Sequence, residues 1–333
     1  MLSTPTPDTA AFAPIAGFWR RVAAFLVDAV ILGLMGYALS LRLFDAFVSM
    51  GPWGRGFGFV IAMAYFVPQE VAHGGGQSLG KRLLRIRVVD AQGRALGPVR
   101  SIARFAVFGV PYFLDGVMLP MNVTMFAGGI PFALLAPGAL LALAYLLVFN
   151  RRTRQSLHDL AVGAFVVRVA RETRVAPTPG PARAWGGHLA IAAVLMLLVG
   201  AVPLLYPQIM RIPLFAGLSA LSRRLSAEPG LRSVSVLASE RHGFGIGTSD
   251  VQRELLIQGT METPPTDYVP LSTRLAGIAL ATYPDAARAD RITVRIAHGF
   301  DIGIASHWDA NTLSLTPDQW ADRVAAGVGG PAN

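Results

Sequence analysis

Apolar residues fill long blocks in the first two thirds of the chain and short, spaced runs in the last third. A helix needs about 20 mostly apolar residues to cross the hydrocarbon core of a bilayer. Five stretches meet that requirement: residues 18 to 40, 56 to 73, 102 to 120, 126 to 149 and 187 to 206. The third and fourth come from one glycine-rich run interrupted by Pro111, Pro120, Pro131 and Pro137, which two kinked crossings fit best. Residues 171 to 186, with Pro177, Pro179, Gly180 and Pro181, read as a linker before the fifth span.

Past residue 207 the texture changes. Helical spacing marks Leu214 to Ala227 and Leu271 to Tyr283, the latter stopped by Pro284. Ser233 to Ala238, Glu254 to Met261, Ile292 to His298 and Ile302 to His307 read as strands, and a last short helix begins at Thr316. An α-β-β-α-β-β order predicts a compact α+β domain. The predicted fold is a membrane α-helical protein of about five transmembrane helices with a C-terminal extracytoplasmic α+β domain. Residues 1–170 form a transmembrane domain with basic cytoplasmic loops, 171–186 a linker, 187–206 a fifth transmembrane helix and 207–333 a soluble domain.

Composition agrees: 53% of the residues are hydrophobic and 15% charged, with a mean hydropathy of +0.49, well off the balance of a soluble domain. There is no cysteine, which excludes disulfides, thiolate metal sites, cysteine nucleophiles and a lipoprotein anchor. Lys81 is the one lysine among arginines.

The net charge of +9 divides unevenly along the chain. Residues 1 to 206 hold 18 Lys/Arg against 8 Asp/Glu, and 207 to 333 hold 11 against 12. A basic excess confined to the apolar half points to the bilayer, with anionic headgroups at the cytoplasmic loops, and away from nucleic acid. Segment 74 to 104 carries Lys81, Arg82, Arg85, Arg87, Arg94, Arg100 and Arg104; segment 150 to 186 carries Arg151, Arg152, Arg154, Arg168, Arg171, Arg174 and Arg183. The opposite loops hold only Arg42 and Arg55. Both basic loops and the N-terminus, with Arg20 and Arg21, are therefore expected in the cytoplasm, and five crossings then put the C-terminal domain outside a bacterial cytoplasmic (inner) membrane. The first span is longer than a signal-peptide core and contains Asp28, so it reads as a retained helix.

Charged groups inside a span usually face protein or water. Asp28 is the clearest case. Arg21 lies seven residues earlier on the same helix face, about 10 Å away along the axis, too far for a close ion pair. Asp115 in the third span and Glu70 at the end of the second are weaker candidates; Glu70 and His73 read as a solvated span end, and Asp115 as interfacial.

The opening helix GFWRRVAAFLVD at 17 to 28, the block GGGQSLGKRLLRIRVVDAQGRAL at 74 to 96 followed by Arg104, and RRTRQSLHDLAVGAFVVR at 151 to 168 together resemble the RDD family, named for one arginine and two aspartates. The resemblance covers about 150 residues and stops near residue 170. It implies a membrane domain in which Arg21, Asp28 and, as the second aspartate, Asp159 are the characteristic residues. The family usually has threonine where this chain has Ser78 and Ala164. Some members are proposed sodium/proton antiporters.

Gly75 to Lys81 fits G-x-x-x-x-G-K, but Arg82 stands where a phosphate loop needs Ser or Thr, and a span precedes it where a strand is required. It reads as a glycine turn beside lipid headgroups. Leu84 to Asp90 alternates apolar and basic residues before Ala91-Gln92-Gly93, which suggests a short hairpin; Gly163 to Val169 reads as a strand that could pair with it and bring Asp159 to the inner helix ends. Ser156-Leu157-His158-Asp159 is no catalytic triad, since no nucleophile elbow surrounds it, and His158 reads as interfacial. His242, His298 and His307 lack metal-ligand spacing.

No cofactor, metal site or enzymatic centre is expected. Two functions fit: cation, proton or small-solute transport centred on Asp28 with Arg21 and Asp159, requiring a homo-oligomer because five spans are few for a transporter, or a non-transporting scaffold whose outer domain binds a protein partner.

Overall fold

The structure, a computed structural model, describes residues 14–115, 129–151, 153–169, 185–201, 213–242 and 251–327. The chain divides into two compact units, one of Met1–Arg42, Pro52–Pro203 and Ile302–Ala305, the other of Leu43–Gly51, Leu204–Asp301 and Ser306–Asn333.

The first unit runs α1 (Phe18–Met50), α2 (Gly54–Glu70), the short α3 (Leu79–Leu83), strand β1 (Ile86–Val89), α4 (Pro98–Leu114), α5 (Gly129–Phe149), the short α6 (Leu157–Ala161), strand β2 (Phe165–Arg168) and α7 (Trp185–Ala201). Each apolar stretch read from the sequence carries a long helix. α1 outruns its predicted end by a further turn and more, and loses helical geometry at Leu43 (φ −116°, ψ 22°), where the boundary between the units falls. Pro98 starts α4 at its first position, where the absent N–H would have had no partner. Pro111 sits in the last turn of α4 and Pro137 inside α5. Pro120, residues 126 to 128, the stretch 202 to 206 and the linker at 171–184 lie outside the described residues.

Among the described residues, Phe18–Glu70 is long and apolar enough to cross a membrane, with an 18-residue window of mean hydropathy 2.1; Ala136–Phe149 and Gly186–Val199 are shorter apolar helical segments. α1 turns Leu26, Val30, Leu34 and Leu41 outward, and α7 turns out Leu197 and Leu198. Such rows suit hydrocarbon, and each helix keeps its backbone hydrogen bonds to itself. Inside, Leu32, Ala62, Phe105 and Phe113 pack α1, α2 and α4 together, while Ala142 and Leu146 of α5 meet Ala192 of α7.

The expected local hairpin after Leu84 does not form. Asp90 Oδ1 accepts the N–H groups of Gln92 and Arg94 at 2.9 Å each, which closes a turn, but the chain then leaves through Leu96 toward α4. β1 pairs instead with β2, antiparallel, from Ile86 opposite Arg168 to Val89 opposite Phe165. The alternating apolar positions explain the choice: Ile86, Val88 and Val166 are buried against Ala16 and Ala24 of the N-terminal segment, a burial the polar residues after Asp90 could not supply.

The second unit contains α8 (Pro213–Leu225), β3 (Leu231–His242), β4 (Val251–Met261), α9 (Val269–Thr282), β5 (Arg291–Asp301), β6 (Ser306–Leu315) and α10 (Pro317–Ala325). The sheet order is β3-β4-β5-β6, with β4 and β5 parallel and the outer pairs antiparallel. Leu255 and Ile257 of β4 register with Ile292 and Val294 of β5 and bury against Leu221 and Leu225, Leu275 and Ala279, and Trp320 of the three helices. The sixth strand begins later than the sequence suggested. Ile302 N bonds Ala305 O at 3.0 Å and Gly303 adopts φ +77°, so Ile302 to Ala305 form the turn and the strand occupies Ser306–Leu315.

Candidate functional site

The site is assembled in the first unit from α1, the end of α2, the glycine-rich turn, α4 and α6. Arg21 and Asp28 share one face of α1 and are both buried, yet each has other partners.

Asp28 is 1% exposed and accepts three hydrogen bonds, from Tyr65 Oη at 2.7 Å, Ser78 Oγ at 2.5 Å and Gly80 N at 2.8 Å. All three donors are neutral, and among the described residues Asp28 has no ion pair. The phosphate-loop resemblance of Gly75 to Lys81 now has a physical reading. Its hydroxyl and backbone N–H do hold an anion, but the anion is the protein's own carboxylate. The approach requires glycine: a Cβ on Gly80 would sit 2.1 Å from Ala24 O and 3.0 Å from the Asp28 carboxyl carbon. On Gly76, which has φ +75°, a Cβ would sit 2.3 Å from Val88 O.

Asp159 is fully buried. It accepts Arg104 Nε at 2.9 Å and Nη2 at 2.7 Å, Ser156 N at 3.3 Å, and a bond from Arg21 Nη2. Arg21 also donates to the carbonyl of Arg154. Arg154 has φ +53°, an uncommon left-handed conformation for a residue with a side chain. Burial alone would raise the carboxyl pKa of Asp159, but the charges of Arg21 and Arg104 and the hydrogen bonds from Arg104 outweigh it and hold the group far below the usual carboxylate range.

Glu70 is 2% exposed and not a solvated span end. It accepts Lys81 Nζ at 2.5 Å and Arg104 Nη1 at 2.5 Å. Arg104 thereby bridges Glu70 and Asp159, so that Arg21, Lys81 and Arg104 are paired with Glu70 and Asp159, while Asp28 lines the same cavity without an ion pair among the described residues. The chain's lone lysine belongs to this cluster, a signal that composition alone did not connect to chemistry. Asp115 is elsewhere: it caps the far end of α4, exposed, with its carbonyl accepting from Arg55.

His158 is partly buried beside Asp159, with its side chain 16% exposed and Nε2 3.3 Å from Asp159 Oδ1. Burial, reinforced by the charges of Arg104 and Arg21 and opposed by Asp159, pulls its pKa down to about 3, so the ring is neutral at pH 7. Ser156 Oγ donates to Leu143 O at 2.8 Å, which engages the hydroxyl in structure.

A cavity of about 290 Å³ opens onto this cluster. Arg21, Asp28, Glu70, Lys81, Arg104 and His158 form its polar end; side chains of α1, α4 and α5, among them Phe25, Phe108, Leu140 and Leu147, form apolar walls.

A bundle of apolar helices enclosing a charge-balanced cluster defines a membrane-type helical domain. Residues 15–163 match the profile of the RDD family, and this part of the chain is similar to RDD-family domains. No curated protein and no solved structure matches the chain.

Proposed function

We propose that the RDD-like domain is a cation- or proton-linked transport unit in which Asp28 is the exchanging carboxylate. The observation that supports this reading is the contrast between the three buried carboxylates of the cluster, of which Asp28 and Glu70 line the cavity. Glu70 and Asp159 are each committed to two cationic side chains or more, whereas Asp28 faces only neutral donors. A proton or small cation can join Asp28 without breaking an ion pair, while at Glu70 or Asp159 it must displace a guanidinium or ammonium group. Arg21 and Asp159 then act as the fixed frame around the exchanging group. On this reading the N-terminus and the basic loops face the cytoplasm of a bacterial inner membrane, five crossings carry the α+β domain outside, and an oligomer completes the pathway, as the excess of basic residues in those loops supports.

The test is flux in proteoliposomes of the full chain under sodium, lithium, potassium and pH gradients. Asp28→Asn should insert and accumulate normally and lose gradient-driven flux. Wild-type vesicles that carry no ion under any gradient would leave the second reading, a non-transporting scaffold, which draws on the saturated ion pairs of Glu70 and Asp159 and on the separate core of the α+β unit.

A further inference from the structure

The segment between α2 and β1 reaches deeper into the domain than a loop at a span end would. Ser78 Oγ donates to Asp28 at 2.5 Å and Gly80 N at 2.8 Å. Gly80 also lies against α1, where a Cβ would sit 2.1 Å from Ala24 O. Arg20, exposed at the start of α1, belongs among the headgroups. At about 1.5 Å per residue, Ala24 is about 6 Å and Asp28 about 12 Å further along the helix. The headgroup layer is about 5 to 8 Å thick on each side of the hydrocarbon. α3, in contact with α1 at Ala24, therefore lies at the boundary with the acyl chains, where α1 turns Phe25 and Leu26 outward. Backbone that is not part of a long helix is tolerated at that depth where protein covers it, and Gly76, Ser78 and Gly80 are buried.

α3 has a second face. Leu79 is 46% and Leu83 69% exposed, and four residues apart they share one side of the helix. Arg82 and Arg85 are exposed beside them. Arg82 gives one bond, at 3.3 Å, to Gly74 O, and among the described residues neither arginine has an ion pair. Lys81, on the inner side, is committed to Glu70. Paired leucines next to uncompensated guanidinium groups suit the edge of a leaflet, where the leucines meet acyl chains and the arginines reach phosphates.

From this depth and this face we infer that residues 76 to 85 are a re-entrant element that docks an anionic phospholipid. Its acyl chain lies on Leu79 and Leu83, and its headgroup anion is held by Arg82 and Arg85. In the orientation proposed above, the lipid belongs to the cytoplasmic leaflet. The inference requires α1 to enter the bilayer at Arg20 and does not require the chain to carry an ion, so it can be tested without flux.

The natural chain has no cysteine, so Leu83→Cys can carry a single bimane label. The labelled full chain is reconstituted in phosphatidylcholine nanodiscs that contain a lipid bearing a nitroxide on the headgroup, on a shallow acyl carbon or near the chain end. Quenching should be strongest from the shallow acyl carbon and weak from iodide in the water. Gln92→Cys, in the exposed turn after β1, should show the reverse. Shallow-labelled phosphatidylglycerol should reach half-quenching at about fivefold lower mole fraction than phosphatidylcholine with the same label. Arg82→Gln combined with Arg85→Gln should make the two lipids equal. A Leu83→Cys label that iodide quenches as readily as the Gln92→Cys label, and that no lipid quenches, would overturn the re-entrant element. Equal quenching by the two lipids while both arginines are present would overturn the anionic partner. Both decisive comparisons use one exposed position in an otherwise natural chain, so they stand even if the arginine variants fail to fold.

Discussion

Arg104 and Asp159 are joined by two hydrogen bonds to one carboxylate oxygen, 2.9 Å from Nε and 2.7 Å from Nη2. With Nη1 held by Glu70, the guanidinium has a carboxylate on either side, and α2, α4 and α6 are tied at a single point. A fork of fixed donors suits this role better than an ammonium group.

Removing Asp159 should therefore be the most damaging single change in the cluster. Asp159→Asn strands Arg21 and Arg104 without their shared anion and should cost about 3 to 5 kcal/mol. Thermal unfolding of the full chain in detergent measures the loss. Asp159→Leu combined with Arg21→Met should recover part of it, because the pair is then replaced rather than halved.

Asp28→Asn should be mild by the same measurement. Its oxygen still accepts, and the hydroxyls of Tyr65 and Ser78 can rotate to receive the new N–H, so the cost should be about 1 kcal/mol. A loss as large as that of Asp159→Asn would mean that Asp28 neutralises a cation in the fold, which removes the argument for exchange at this position.

Gly80→Ala should be disruptive where Gly17→Ala is not. A Cβ at Gly80 collides with the α1 backbone at Ala24 O, whereas one at Gly17 meets nothing within 4 Å. The expected readout is a lower thermal midpoint for Gly80→Ala and a near-wild-type one for Gly17→Ala.

Stability should fall with pH in two stages. The pKa of His158 is depressed to about 3 in the folded chain against about 6.5 when unfolded. Between those values the unfolded state binds the extra proton, so stability falls by about 1.4 kcal/mol for each pH unit lost. His158→Phe should flatten that stage. Asp159 also has its folded pKa lowered, so its contribution is complete above the unfolded value near 4 and declines as pH drops below it. This second stage should survive in His158→Phe.

Orientation can be mapped by single cysteines, because the natural chain has none. Gln92→Cys, in the exposed turn after β1, should react with an impermeant thiol reagent only when the cytoplasmic face is open to it. A cysteine replacing exposed Asp318 of α10 should react only from the other face. Labelling of both from one side would contradict the five-crossing topology.

The helices, the α+β order of the second unit and the pairing of the two basic segments were legible because each depends on periodic burial, which sequence records directly. The partners of the charged residues were not. Arg21 and Asp28 share a helix face, and spacing suggests looking for a link between them, but the ion-pair partner of Arg21 lies 138 residues away. Glu70 looked like a solvated end because nothing nearby in sequence reports that Lys81 and Arg104 fold over it. The glycine-rich turn carried the right donors, and only the fold shows that they grip Asp28. The contact of His158 with Asp159 gave no signal in sequence, since adjacency along the chain does not report which ring nitrogen meets the carboxylate.

The 138 residues between Arg21 and Asp159 also set an order in time. At a synthesis rate of about 5 to 20 residues per second, Arg21 leaves the ribosome roughly 7 to 30 seconds before Asp159 does. Through that interval Arg21 has no Asp159 to meet and Arg104 only Glu70. The clasp that closes the bundle can therefore form only late in the unit's synthesis, once α6 docks.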